Sequence, residues 1–275
     1  MDKGADSVTS DEDGQRHVHL HHPAKLGTPA LHTFHKQYAA ILDHFFFTVE
    51  LAHRADVTIR TAAEALAKVD PRPEDLQRLN ELEEKPNPVS ARLKNYGPLL
   101  GQNLVIGHVD NFLSFLSETI QTLMLKRPEL LRSNETVSLE EILRFSNFKS
   151  MIEYLADKKM NELSYGGIGR LEEYINKKTK IELFANEDAR ALAILAIEFR
   201  NVFTHNRGKI SGVTMRRLKD LKYDHNLHEG QNAPTDFDMI VSLSNNLFEV
   251  ASNLDAKVAQ KFSIRRTRYE TFTKC

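Results

Sequence analysis

From Arg200 to Gly208 the chain reads Arg-Asn-Val-Phe-Thr-His-Asn-Arg-Gly, which gathers fixed cations, amides, a hydroxyl and an imidazole within one short stretch. A guanidinium presents a planar fork of donors that matches phosphate oxygens, and an imidazole exchanges protons near neutral pH. Arg200 and His205 therefore suit cleavage of a phosphodiester without a metal or other cofactor, with Asn201 as the third candidate. Thr204, Asn206 and Arg207 add a hydroxyl, an amide and a second guanidinium to the same stretch. Each residue also has a structural account. Arg200 can pair with a carboxylate, His205 can cap a helix C-terminus where a cation is favoured, and Asn206-Arg207-Gly208 can be a plain turn.

The helix that must carry this set starts at Asn186, a good N-cap, with Glu187 and Asp188 in its positive first turn. At about 100° per residue, Leu192, Leu195, Ala196, Phe199 and Phe203 form a core stripe, while Arg200, Thr204, Asn201 and His205 fall on one contiguous opposite face. Ile194 and Ile197 occupy that same face further upstream, so the helix is apolar on both sides before its polar end. Apolar surface all round calls for something packed on each side. A second layer of the same fold or a second subunit would serve, and the reading adopted is a homodimer whose two polar ends line a shared cleft.

The other elements follow from periodicity. Phe34, Tyr38, Ile41, Leu42, Phe45, Phe46, Val49 and Ala52 predict one long helix from about Thr33 to Lys68, with a bend near Asp56 to Thr58. Pro71, Pro73, Pro86 and Pro88 bracket a charged stretch read as a linker with at most a short helix. A second long helix follows Pro98 and runs to about Leu125, where Pro128 stops it. Shorter helices are predicted at Ser138 to Arg144, Phe148 to Asn161, Ile168 to Lys177 and Gly212 to Leu221, and a last long one from Asp236 to about Phe262. No alternating apolar pattern of strand length occurs, so the class is all-α. Four segments result: a His-rich disordered tail over 1 to 30, a helical segment and linker over 31 to 94, a helical domain over 95 to 262, and a basic tail over 263 to 275.

Composition limits the functions. With 37 basic and 38 acidic residues there is no global basic field, so any nucleic-acid affinity comes from a local patch. The one cysteine, Cys275, excludes an internal disulfide and a cysteine-based zinc site. No apolar run approaches the ~18 residues of a membrane helix, and the acidic start lacks the order of a signal peptide. A soluble cytoplasmic protein with no membrane association is the expectation. His17, His19, His21 and His22 form either a metal-binding cluster or a solvated tail. His108 with Asp110 reads as a core or interface pair, or as support for the cleft. Lys261, Arg265, Arg266, Arg268 and Tyr269 either track a nucleic-acid backbone or form a solvated, frayed end. Phosphate-cradling glycine loops, nucleophile elbows and paired-histidine zinc helices do not occur in the sequence.

Arg200-Asn201 followed by His205, an arginine and a histidine separated by four residues, resembles the signature of the HEPN superfamily. The continuation His205-Asn206-Arg207-Gly208-Lys209-Ile210 is similar to the residues that follow the histidine there, and Leu104 to Leu113 is similar to the first core helix of some bacterial members. The resemblance covers about residues 95 to 262. It implies a compact, usually dimeric helical bundle, here with an additional long N-terminal helix, and a metal-independent RNA endonuclease of a toxin or antiviral defence system. Arg200, His205 and Asn201 would be its catalytic residues, Thr204, Asn206 and Arg207 would add phosphate contacts around the cleft, RNA would be its substrate, and an antitoxin or other protein a further partner. The alternative from the same resemblance is a non-catalytic helical module that binds RNA, a nucleotide or a protein partner.

Overall fold

A computed structural model of the chain describes residues 25–69, 72–133, 136–165, 167–219, 221 and 226–269. The fold is all-α. Its helices are α1 (Pro29–Val69), α2 (Pro73–Glu84), α3 (Pro88–Asn95), α4 (Gly97–Lys126), α5 (Leu139–Leu143), α6 (Phe148–Tyr165), α7 (Gly167–Thr179), α8 (Glu187–His205), α9 (Gly212–Leu218) and α10 (Phe237–Phe262). A single 3-10 turn at Pro128–Leu131 follows α4, and two short strands, β1 (Leu26–Gly27) and β2 (Thr267–Arg268), pair antiparallel. The histidine cluster at 17 to 22, Pro71 and Cys275 lie outside the described residues.

Helix α4 is the central rod, packed against α1, α6, α8 and α10. Its buried positions Leu104, Val105, His108, Val109, Phe112, Phe115, Leu116, Ile120 and Leu123 recur at helical spacing on more than one face, as burial on several sides demands. The first half of α1 feeds the same core through Leu31, Phe34, Tyr38 and Leu42, with Phe34 packed 5.4 Å from Phe115 and 6.1 Å from Phe248 between ring centres. Beyond Leu42 the buried positions thin to Ala52, Asp56 and Ala63, and α2 and α3 pack on this distal half. Helix α1 passes through Asp56 to Thr58 without interruption.

The segment read as a linker is thus two helices. Pro73 and Pro88 sit at the first helical turns, where the missing N–H costs nothing, while Pro86 lies in the bend between the two helices. Helix α3 is held by Asp56, which accepts the amides of Val89 and Ser90 at 2.8 Å each. Burial pushes this carboxyl up, but hydrogen bonds from Ser90 and Val89, with His53 nearby, outweigh that and hold it below the usual carboxylate range. Its charge also complements the positive end of α3.

The ends of the described chain close on each other. The described residues begin inside the stretch read as a tail, with β1 and the first turn of α1, and in the basic run after Phe262 Arg266 and Tyr269 are docked rather than frayed. Asp255, 1% exposed, accepts the hydroxyl of Thr28 at 2.5 Å and the Nε of Arg266 at 3.2 Å, and both its oxygens lie 3.4 Å from the Thr28 amide. Arg266 also donates to the Leu26 carbonyl, and the Tyr269 ring packs edge-on to His32 and His35. Removing one partner of a buried pair leaves the other charge uncompensated. Asp255→Ala is therefore expected to lower the unfolding free energy by about 3 kcal/mol in a urea titration; a loss within error would show that the clasp contributes nothing to stability.

Candidate functional site

Helix α8 begins as the sequence implies, with the Asn186 side chain accepting the Ala189 amide at 2.8 Å, and Asn246 of α10 donating to the Ala189 carbonyl at 2.9 Å. It packs against α4, α10 and α9, burying Leu195, Ala196, Phe199, Val202 and Phe203. At its far end the amides of Asn206 and Gly208 both return to the Val202 carbonyl, at 3.0 and 3.1 Å. Arg207 and Gly208 adopt left-handed backbone, φ 51° and 80°. That conformation favours glycine at 208, where an added Cβ would otherwise meet only ordinary contacts. The Gly208 carbonyl then takes the Ala233 amide at 2.8 Å, which fixes the turn against the 228 to 233 segment.

On this frame Arg200 is held rather than free. Its Nε donates to Asp110 of α4 at 2.9 Å and its Nη1 to the Asn201 Oδ1 at 3.3 Å, and the side chain keeps 28% exposure. The outer edge of the fork, at Nη2, makes no bond among the described residues, so its donors remain open. Thr204 gives its hydroxyl proton to the Arg200 carbonyl at 2.8 Å, so it can offer a ligand only acceptor lone pairs without rearranging. His205, Asn206 and Arg207 are exposed, and their side chains make no hydrogen bond or ion pair among the described residues. Of the two accounts open for each residue, Arg200 takes the carboxylate partner and the 206 to 208 stretch is a turn, while the His205 ring is not engaged as a cap.

Two acidic residues complete the site. Asp110 stands ninety positions away on α4, beside His108, which turns into the core while Asp110 turns toward Arg200. Glu198, 7% exposed, lies between Arg217 of α9, at 3.2 Å, and the amide of Asn201. Burial lifts the Glu198 carboxyl above its usual range, against the pull of Arg217 and Asn201. Sequence reasoning passed over Glu198, although its wheel position at about 260° adjoins that of His205 at about 240°. The signal was present in the helical spacing.

The apolar side of α8 beneath the motif is covered differently from the sequence reading. Ile197 is only 7% exposed within the single chain and Ile194 is half-buried, both belonging to or packed on the one core. The second layer that this face requires is supplied by the protein's own fold, so the face gives no argument for a partner subunit. Among the described residues no group of three or more His, Cys, Asp or Glu side chains converges to hold a metal ion, and no helix is long and apolar enough to cross a membrane. Set against known protein families, curated proteins and solved structures, the chain matches none of them.

Proposed function

We propose that the exposed end of α8 is the active centre of a metal-independent, HEPN-type RNA endonuclease, acting in a toxin or antiviral defence role. The observation that carries this reading is the pairing of an unengaged, solvent-facing His205 with an Arg200 whose orientation is fixed by Asp110 while its outer donors stay open. In the reaction the RNA 2′-hydroxyl attacks the adjacent phosphorus, His205 accepts that proton, and Arg200 stabilises the charge that builds on the phosphoryl oxygens. The P–O5′ bond breaks, the departing oxygen takes a proton, and the products are a 2′,3′-cyclic phosphate and a 5′-hydroxyl. In a homodimer with the two α8 ends facing, the second copy's His205 supplies the proton to the leaving group. Asn201, bridging Arg200 and Glu198, keeps the guanidinium in register, and Asn206 and Arg207 take flanking phosphates.

Incubation of the purified protein in chelator with RNA, with DNA of the same sequence and with RNA carrying 2′-methoxy groups tests the reading. Cleavage of unmodified RNA alone, with cyclic phosphate ends, is expected; intact RNA throughout, or equal cutting of DNA, would overturn it. Because Asp110 holds the arginine without touching substrate, Asp110→Asn is expected to lower kcat roughly ten- to a hundredfold with KM nearly unchanged, as loss of orientation does. An equal rise in KM with kcat intact would assign Asp110 to binding instead. The second reading, a non-catalytic module for RNA, a nucleotide or a protein, is favoured by one observation: Arg200 already spends two donors inside the chain. Tight binding of RNA with no cleavage would establish it.

A further inference from the structure

A cavity of about 500 Å³, with no α8 residue in its lining, lies where α1 and α3 meet the N-terminal ends of α4 and α10. Its walls are Phe45, Leu93, Leu100, Leu104, Phe237 and Ile240, with Phe45 and Phe237 stacked at 5.0 Å between ring centres. Two glycines one turn apart on α4 shape it. At Gly101 an added Cβ would come within 3.0 Å of Ile240, the Thr235 side chain and the Thr235 carbonyl, so the absence of a side chain lets α4 close onto the 235 to 240 segment and form the floor. At Gly97 an added Cβ meets nothing within 4 Å, and the missing side chain there is open space.

The polar groups on this apolar lining are few, namely His53, Ser90, Lys94 and Thr235, and no carboxylate is among them. Lys94 at the rim makes no ion pair among the described residues, and His53 lines the same wall. The acidic neighbour, Asp56, is committed to the amides of Val89 and Ser90. A concave, largely apolar site of roughly 300 to 1,000 Å³ with a few convergent polar groups is the usual form of a small-molecule pocket. The volume is too small to seat a partner helix of ~10 Å diameter over several turns. We propose that this cavity binds a small amphiphilic carboxylate, its apolar body between Phe45, Leu100 and Phe237 and its carboxylate at Lys94 and His53. Such a ligand touches the distal half of α1, α3, α4 and α10 together, so binding braces the α1–α3 arm against the central helices.

The test uses the full chain with four probes, naphthalene-2-carboxylate and decanoate with their neutral counterparts naphthalene-2-methanol and decan-1-ol, followed by calorimetry and by methyl NMR of leucine and isoleucine. Saturable binding with one ligand per chain is expected, with shifts at Leu93, Leu100, Leu104 and Ile240. Because a hydrogen bond to a charged group is worth more than a neutral one, each carboxylate should bind about tenfold tighter than its alcohol. Lys94→Gln, an exposed substitution that leaves the fold intact, should erase that margin. Gly97→Phe should abolish binding of all four probes; if it fails to fold, Val49→Trp on the opposite rim does the same. No saturable binding to the natural chain, methyl shifts elsewhere, equal affinity for acid and alcohol, or binding that survives the filling variant would each overturn the proposal.

Discussion

His205→Ala is expected to lower RNA cleavage by roughly 10²- to 10⁴-fold, the range that a positioned proton-transfer group supplies. Arg200→Ala should cost roughly 10²- to 10³-fold through lost stabilisation of the phosphoryl charge. The two effects belong to one transition state, so the double variant should be little worse than the worse single. Arg200→Lys should not restore the rate, because a point ammonium cannot hold Asp110 through one edge while presenting donors from the other. Neither alanine variant should unfold the protein. His205 is exposed and unengaged, and the Asp110 carboxylate that Arg200 leaves behind is half in solvent, so both sit among the surface changes that move stability by about 0.5 kcal/mol or less. Cleavage that survives in both variants, assayed in single turnover with the thermal midpoint unchanged, would remove the α8 end from the chemistry.

Acidification should destabilise the fold well before the carboxylates titrate. His35 and His108 are both buried, and burial pushes each imidazole down to about 4, with neighbouring His32 adding to the effect at His35. His108 lies 4.7 Å from the Tyr38 ring with neither nitrogen hydrogen-bonded, and His35 stacks on Phe248 at 4.5 Å. His108 has no hydrogen-bond partner and His35 meets only the Ser252 hydroxyl, at 3.5 Å, so burial holds both rings neutral in the folded state. The folded pKa lies below the unfolded value of 6.5. The unfolded chain therefore takes up protons first as the pH falls. Stability is complete above about pH 6.5 and declines toward pH 4, by on the order of 3 kcal/mol for each ring. Urea titrations at pH 7 and pH 4.5 measure it. His108→Leu, which keeps the apolar volume, should remove about half of the pH dependence; a slope identical in both proteins would place the acid-labile groups elsewhere.

What the sequence could reveal and what it could not divides by distance along the chain. Local signals were legible. Asn186 caps α8, Ser138 caps α5 by accepting the Glu141 amide, and Asp236 caps α10. Each is a side chain bonding to an amide three residues on, a relation that spacing alone conveys. The polar face of α8 was legible for the same reason. The prolines at 73 and 88 were ambiguous, since a proline marks a break or a first turn with equal readiness, and what settles it for α3 is Asp56, more than thirty residues earlier. The Asp110 to Arg200 pair, the Asp255 clasp and the burial of Ile197 all depend on which helices meet, and no local pattern encodes that. The inference of a second subunit from the two-sided apolar character of α8 met the same limit, since Ile194 and Ile197 are covered within the single chain. Two-sided burial was real, but periodicity does not say whose chain provides the cover.

The clasp between the two ends also sets a timetable. Arg266 and the Leu26 carbonyl that it binds are separated by 240 positions. At roughly 5–20 residues per second, a ribosome needs roughly 12 to 48 seconds to deliver the later half of that contact. For most of this interval Phe34 and Tyr38 have been made while Phe248 of α10, which packs against both, has not. The nascent chain thus carries the first turns of α1 covered by α4 but not yet by α10 for most of that time, which leaves one apolar side of them open to a chaperone.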